Sequence, residues 1–159
     1  MGASNHMENE ILDHSLGEGA RNYTPPNLYI ALFAGTASNV SAALEAGTMA
    51  DSGAGNWGSY EINNAGYVRQ SINFAAASGG SAASNVTVTF PQATANYGNA
   101  IGEGGSTVNY VAIVDHVGDG SSGYPATNVL YYGALTNPKE ILNGDTLSIA
   151  SGSLTVSLA

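Results

Sequence analysis

The sequence predicts an all-β fold: an antiparallel β-sandwich or jelly-roll-like barrel of about eight strands, preceded by a short N-terminal helix. Two observations carry this prediction. Short runs in which apolar residues alternate with Ser, Thr or Asn recur along the chain, and segments rich in Gly, Ser and Asp separate them. Only 9% of the residues are charged. Because Lys, Glu and Arg usually cover helix surfaces, their scarcity favours strands and loops.

The chain is expected to consist of an N-terminal arm, residues 1–17, and a single β-sandwich domain, residues 18–159. Asn5 followed three positions later by Glu8 has the form of a capping box that begins a helix in the arm. Met7, Ile11 and Leu12 share one face of that helix.

A helix of about three turns is marginally stable alone. We therefore expect the apolar stripe of the arm to pack on its own domain or on a neighbouring subunit.

The strands are predicted from alternating or continuous apolar runs. They are Leu28–Phe33, Gly66–Phe74, Val86–Phe90, Val108–Asp115, Val129–Leu135 (stopped by Pro138), and a C-terminal hairpin whose arms Asp145–Ile149 and Ser153–Leu158 meet at Ala150–Gly152. Val108–Asp115 is apolar on both faces, which is typical of a central strand. Between residues 36 and 60 the sequence suggests only one helical turn, Ser41–Gly47, and a long loop that holds Trp57.

The segment Gly66–Phe74 contains Arg69, one of only three Lys or Arg residues in the chain. Gly66 is interpreted as the turn residue that leads into a strand. The predicted core face of that strand carries Val68, Gln70, Ile72 and Phe74. Arg69 is given a structural role, as the partner of an internal carboxylate, for which the sequence offers Glu61, Asp115 and Asp145.

The formal net charge is −9, with an isoelectric point near 4.3. Three scattered cations, Arg21, Arg69 and Lys139, cannot form a basic patch, so nucleic acid and anionic membrane surfaces are not expected partners. The chain has no cysteine, which excludes disulfides and thiolate metal sites.

We find no constellation that predicts catalysis, a cofactor or a metal. His6 and His14 lie two helical turns apart, too far to share an ion. The segment Asp119–Gly123 lacks the spacing of a calcium loop. No nucleophile elbow is present, and nothing brings Glu61 and Glu140 together as a carboxylate pair. We expect a protein that is not an enzyme.

Several short motifs follow one another in a distinctive order. They are Ser4–His14, Tyr23–Pro26, Leu28–Phe33, Gly66–Gln70, Val86–Ala95, Ala112–Asp115, Leu130–Gly133, Leu135–Lys139 and Asn143–Thr146. In this order the chain resembles a family of tailed-bacteriophage virion proteins, often labelled tail-fibre-like or structural proteins. The resemblance implies a virion structural protein without catalytic residues.

The function expected first is that of a capsid decoration protein, with a tail location as the alternative. A capsid decoration (cement) protein would bind the major capsid protein on the outer capsid surface and bridge capsomers, which suits a small, low-charge domain acting through many weak contacts. The alternative is a tail-fibre or baseplate component involved in host recognition, which suits Tyr- and Ser-rich loops. A sugar-active enzyme or lectin would need paired carboxylates or a ring of exposed aromatics, and the sequence shows neither.

Self-association as a dimer or trimer is expected in either location. The residues predicted to contact a partner are Met7, Ile11, Leu12 and Trp57.

Overall fold

The computed structural model describes residues 1–16, 27–46, 60–98, 105–117 and 128–158, which form antiparallel β-sheets packed face to face, with two short helices. The strands are β1 Gly2–Ala3, β2 Tyr29–Phe33, β3 Gln70–Ser71, β4 Ser81–Ala83, β5 Val88–Thr89, β6 Thr107–Val114, β7 Val129–Glu140, β8 Ser148–Ile149 and β9 Thr155–Ser157. The helices are α1 Asn5–Leu16 and α2 Ala37–Glu45. The predicted all-β, sandwich-like class is confirmed, and the described strands do not close into a barrel.

The main sheet has the strand order β1-β7-β6-β2-β3, with β6 in the middle. Ala112 of β6 lies opposite Ala31 of β2 on one side and opposite Tyr132 of β7 on the other. The residues of β6 from Val111 to Val114 are buried. The continuous apolar run of this strand therefore reflects burial on both faces, as predicted.

The two faces of the main sheet carry different layers. Helix α2 covers one face, where its Val40 and Leu44 pack with Phe33 and Val114. Two small sheets, β4–β9 and β5–β8, lie over the other face. Val88 of β5, Phe90 directly after β5 and Leu154 directly before β9 belong to a larger core there. From the main sheet, Ile30 and Leu32 of β2 are fully buried in the same core.

Helix α2 is longer than the single turn predicted at Ser41–Gly47. It begins at Ala37 and ends at Glu45, and its Val40 and Leu44 are fully buried. These two residues lie one helical turn apart and so face the sheet together. Small Ala and Ser residues around them give a weak amphipathic signal in the sequence, and packing on the sheet stabilises the helix.

The predicted C-terminal hairpin is wrong in its pairing. Strand β8 pairs with β5, and β9 pairs with β4, so the two arms lie in separate sheets. The turn between them does form, with the Ser153 N–H donating to the Ala150 carbonyl at 3.1 Å. Ser84, which directly follows β4, binds this turn and the start of the second arm: its carbonyl accepts the Gly152 N–H at 2.7 Å, and its N–H donates to the Leu154 carbonyl at 2.9 Å.

Strand β7 continues past Pro138, where the sequence predicts a stop. Its pairing with β6 shifts between Tyr110, opposite Ala134, and Val108, opposite Lys139. The extra residues form an irregular segment of β7, and Pro138 lies within it. A proline without an N–H is tolerated in a strand at such an irregularity.

None of the helices in the described ranges is long and apolar enough to cross a membrane.

Candidate functional site

The turn that the sequence predicts before Arg69 is present, and its backbone is left-handed. The Tyr67 N–H donates to the Asn64 carbonyl at 3.0 Å, and the residues between them, Ala65 and Gly66, have φ of 58° and 79°. Two successive positive φ values are typical of a type I′ turn, which favours glycine. Gly66 thus reverses the chain ahead of β3.

The predicted alternation of buried and exposed residues after this turn is only half correct. Ile72 is buried as expected, but Val68 is 45% exposed, while Tyr67 and Arg69 are buried. Regular strand geometry begins only at Gln70. The turn and the ion pair described next therefore determine which side chains of residues 67–69 are buried. The two-residue alternation of a regular strand does not apply to them.

Arg69 and Glu61 form a two-pronged ion pair inside the protein. The Arg69 Nε and Nη2 groups donate to Glu61 Oε1 and Oε2, each at 2.7 Å. A third guanidinium nitrogen, Nη1, donates to the His116 carbonyl at 2.9 Å. The two side chains are 1% and 0% exposed. Glu61 is one of the three carboxylates that the sequence offered to Arg69.

Tyr67 completes this buried network. Its hydroxyl donates to Glu61 Oε1 at 2.9 Å and accepts the Leu32 N–H at 3.1 Å. Burial, followed by the negative charge of Glu61, raises the pKa of Tyr67 well above its usual value. The ring stacks on Phe90 at a centroid distance of 5.9 Å. The network thus ties the Gly66 turn to β2 and the core, and solvent does not reach its ion pair.

The other residues considered for chemistry lie apart. Asp115 accepts hydrogen bonds from the Asn128 backbone and side chain, and Asp145 accepts the Leu142 N–H. Glu140 accepts from the Ser106 hydroxyl at 3.0 Å, away from the Glu61 network. Among the described residues no group of three His, Asp or Glu side chains could hold a metal ion. The segment Asp119–Gly123 lies outside the described residues.

The N-terminal arm is joined to the main sheet by a strand that the sequence does not reveal. Strand β1 pairs with β7 at the sheet edge, Gly2 opposite Tyr132 and Ala3 opposite Tyr131. The fully buried Ser4 follows, and its N–H donates to the Leu130 carbonyl at 3.0 Å. A two-residue strand is too short for a sequence pattern to mark it.

Ser4, and not Asn5, is the N-cap of α1. The Glu8 N–H donates to the Ser4 carbonyl at 2.9 Å, and the Met7 N–H donates to Ser4 Oγ at 3.3 Å. The Ser4 hydroxyl in turn donates to the Val129 carbonyl. Ser4 is thus fixed to β7 through its side chain, and the N-cap lies one residue before the predicted cap, Asn5. Its sequence signal is a serine, a preferred N-cap residue, directly before the predicted cap.

Helix α1 buries one side of its apolar stripe and exposes the other. Met7 is 7% exposed and packs with Ile113 and Leu130. Ile11 is half-buried at the border of this cluster. Leu12 is 52% exposed and Leu16, one turn further, is 74% exposed. The arm therefore rests on its own sheet and still presents leucines to solvent.

The residues predicted to contact a partner thus differ in their surroundings. Met7 is covered by its own domain, Ile11 is partly covered, and Leu12 is accessible. Trp57 lies outside the described residues, as does the predicted domain boundary after residue 17. Partner contact through these residues stays a prediction.

The family of the chain is shown by comparison with known families. The model of the family described as Podophage GP4 fiber I protein gp80 matches residues 2–157. No curated protein matches the chain. The family match spans both the arm and the β-sandwich, and it confirms the resemblance to virion proteins of tailed phages. The chain therefore belongs to the family described as Podophage GP4 fiber I protein gp80, and is a tailed-phage virion structural protein.

Proposed function

We propose that this virion protein is a subunit of a tail fibre and has no catalytic role. The observation that carries the proposal is the match of residues 2–157 to a family whose description names a fibre protein. That description supports the tail-fibre alternative better than the expectation of a capsid decoration protein. The buried Arg69–Glu61 pair also suits a structural role, because both charges are engaged within the chain.

We further infer that the outer face of α1 attaches the subunit to another virion protein. Leu12 and Leu16 are exposed one turn apart, and Glu8 and Asp13 are exposed on the same helix. This surface fits a partner with an apolar cleft and a basic rim.

A second copy of the chain is a poor match for this helix. The chain has only three Lys or Arg residues against twelve Asp or Glu residues, and one of the three cations, Arg69, is buried. Two acidic helix faces would repel each other. The expected dimer or trimer would therefore form through another surface.

Antibody labelling of intact virions tests the location. Gold particles bound to an antibody against this chain should lie at the tail in electron micrographs, and roughly a dozen copies or fewer should be present per particle. Labelling spread over the head, with hundreds of copies, would instead establish the capsid decoration role.

A further inference from the structure

A groove runs between the irregular half of β7 and the turn that joins β8 to β9. Its volume is about 440 Å³. An adjoining recess of about 280 Å³ shares four of its lining residues, Val111, Leu135, Thr136 and Ser153, and continues towards Met1. A volume of this size fits a small ligand of one or two rings.

The floor and the rim of the groove differ in chemistry. Val111, which is 2% exposed, forms the floor together with the half-buried Leu135 and Ile149. Polar side chains stand around it: Thr136, Asn137, Lys139, Ser148 and Ser153. Ser148 is bonded to Thr89 and to the Val88 carbonyl. The side chains of Thr136, Asn137, Lys139 and Ser153 make no hydrogen bond with the described part of the chain.

The charge of the groove is opposite to that of the chain. Twelve Asp and Glu residues occur in the sequence, yet none is among the described residues that line the groove. Lys139 is the only Lys or Arg with an exposed side chain in the described ranges, since Arg69 is buried. The exposed Lys139 side chain thus lies in a groove whose described lining has no acidic side chain, which favours an anionic ligand.

Pairing with an extended peptide does not suit this place. The outer edge of β7 is covered by β1 only at Tyr131 and Tyr132. Beyond these residues the edge contains a register irregularity, Pro138 and Lys139. Bulges, prolines and lysines are the features by which natural proteins block strand addition at a sheet edge.

We propose that this groove binds a saccharide that carries a carboxylate. The aliphatic floor would pack against the C–H face of a sugar ring, and the hydroxyl and amide groups of Thr136, Asn137 and Ser153 would bond its hydroxyls. The ammonium group of Lys139 would bind the carboxylate. A bare inorganic anion would use Lys139 and leave the apolar floor without a function. Such binding would be possible at either location of the subunit on the virion.

A matched pair of disaccharides tests this proposal on the full chain. One ends in glucuronic acid and the other is its neutral counterpart that ends in glucose. Amide NMR spectra recorded at low salt with millimolar disaccharide should show shifts at Thr136, Lys139 and Ser153 for the acidic probe, with weaker binding of the neutral one. Lys139→Gln should weaken binding of the acidic probe at least about threefold and leave binding of the neutral probe unchanged.

Glu140→Gln is the matched control, because Glu140 neighbours Lys139 in sequence but its carboxylate accepts from Ser106. It should retain acidic-probe binding. Absence of groove shifts, equal binding of the two disaccharides, or equal binding by Lys139→Gln would overturn the proposal. Sulfate at matched ionic strength provides the last comparison. If sulfate alone reproduced the shifts of the acidic disaccharide, the groove would be a simple anion site and the proposal would also be overturned.

Discussion

Arg69 donates two hydrogen bonds of 2.7 Å to the carboxylate of Glu61, and both side chains are almost completely buried. Removing one partner from a buried pair leaves an uncompensated charge, which costs about 3–5 kcal/mol. Arg69→Met is therefore expected to lower the free energy of unfolding by about 3–5 kcal/mol in urea denaturation.

The control is the double variant Glu61→Leu/Arg69→Met. It replaces both charges with apolar groups. Its loss in free energy of unfolding should be clearly smaller than the sum of the losses of the two single variants. Strict additivity of the single effects would show that the pair is not energetically coupled.

Tyr67→Phe tests the part of the network that reaches β2. The hydroxyl is bonded to Glu61 and to the Leu32 N–H, and the ring is buried in the core. The variant keeps the ring and leaves a buried N–H without its acceptor, which costs about 1–3 kcal/mol. The loss should appear in urea denaturation and in faster hydrogen exchange of the Leu32 amide. An unchanged exchange rate at Leu32 would contradict this role.

Gly66→Ala tests the left-handed turn. An added Cβ would meet Thr94 at 3.8 Å, an ordinary contact, so the expected cost comes from the positive φ alone. A non-glycine residue in this conformation costs about 1–2 kcal/mol. Thermal unfolding should show a loss of that size. Gly2→Ala is the control and should change stability little, because a Cβ there has nothing within 4 Å and φ is not positive.

Tyr132 is expected to make stability fall in alkaline solution. Burial and the hydrogen bond that its hydroxyl donates to Glu45 raise its pKa from 10.0 to about 12. The unfolded chain therefore loses this proton near pH 10, while the folded protein keeps it to about pH 12. Stability from this group is present below the unfolded pKa and is lost as pH rises between these values.

Urea denaturation at the two ends of that pH range checks this expectation. Burial also raises the pKa values of Tyr67, Tyr97 and Tyr131. The variant Tyr132→Phe therefore isolates the contribution of Tyr132. Its loss of stability on going to the higher pH should be smaller than that of the unmodified protein. Equal losses would contradict the prediction.

The exposed face of α1 is expected to matter for assembly and not for folding. Leu12→Gln/Leu16→Gln changes two exposed residues, and each change should alter stability by no more than about 0.5 kcal/mol. In a phage that carries the double variant, the amount of this protein in purified particles should fall. Leu158→Gln is the matched control, because Leu158 is 54% exposed against 52% for Leu12. Normal incorporation of the double variant would remove α1 as the attachment surface.

Much of the fold follows from local patterns in the sequence. The apolar runs at Leu28–Phe33 and Val108–Asp115 locate the two central strands, since continuous apolar residues mark burial on both faces. The helix at the N-terminus follows from its periodicity, and the turn at Gly66 follows from the residues that precede it. The sequence limits the partner of Arg69 to three candidate carboxylates, one of which is Glu61, because an arginine inside a β domain needs a charged partner.

The tertiary structure alone decided the remaining points, because they depend on residues far apart in sequence. The two arms of the expected hairpin pair with β5 and β4 and not with each other, and Ser84 adds backbone hydrogen bonds to the second arm and the turn before it. Tyr67 and Arg69 point inward, and Val68 points outward. The Tyr67 hydroxyl binds Glu61 and the Leu32 N–H inside the protein, and the Arg69 guanidinium binds Glu61 there. The groove at Lys139 lies between the irregular part of β7 and the β8–β9 turn, which are brought together only in the folded chain. Periodicity reports which residues are buried, but strand pairing and the partner of a buried charge are properties of the assembled sheets.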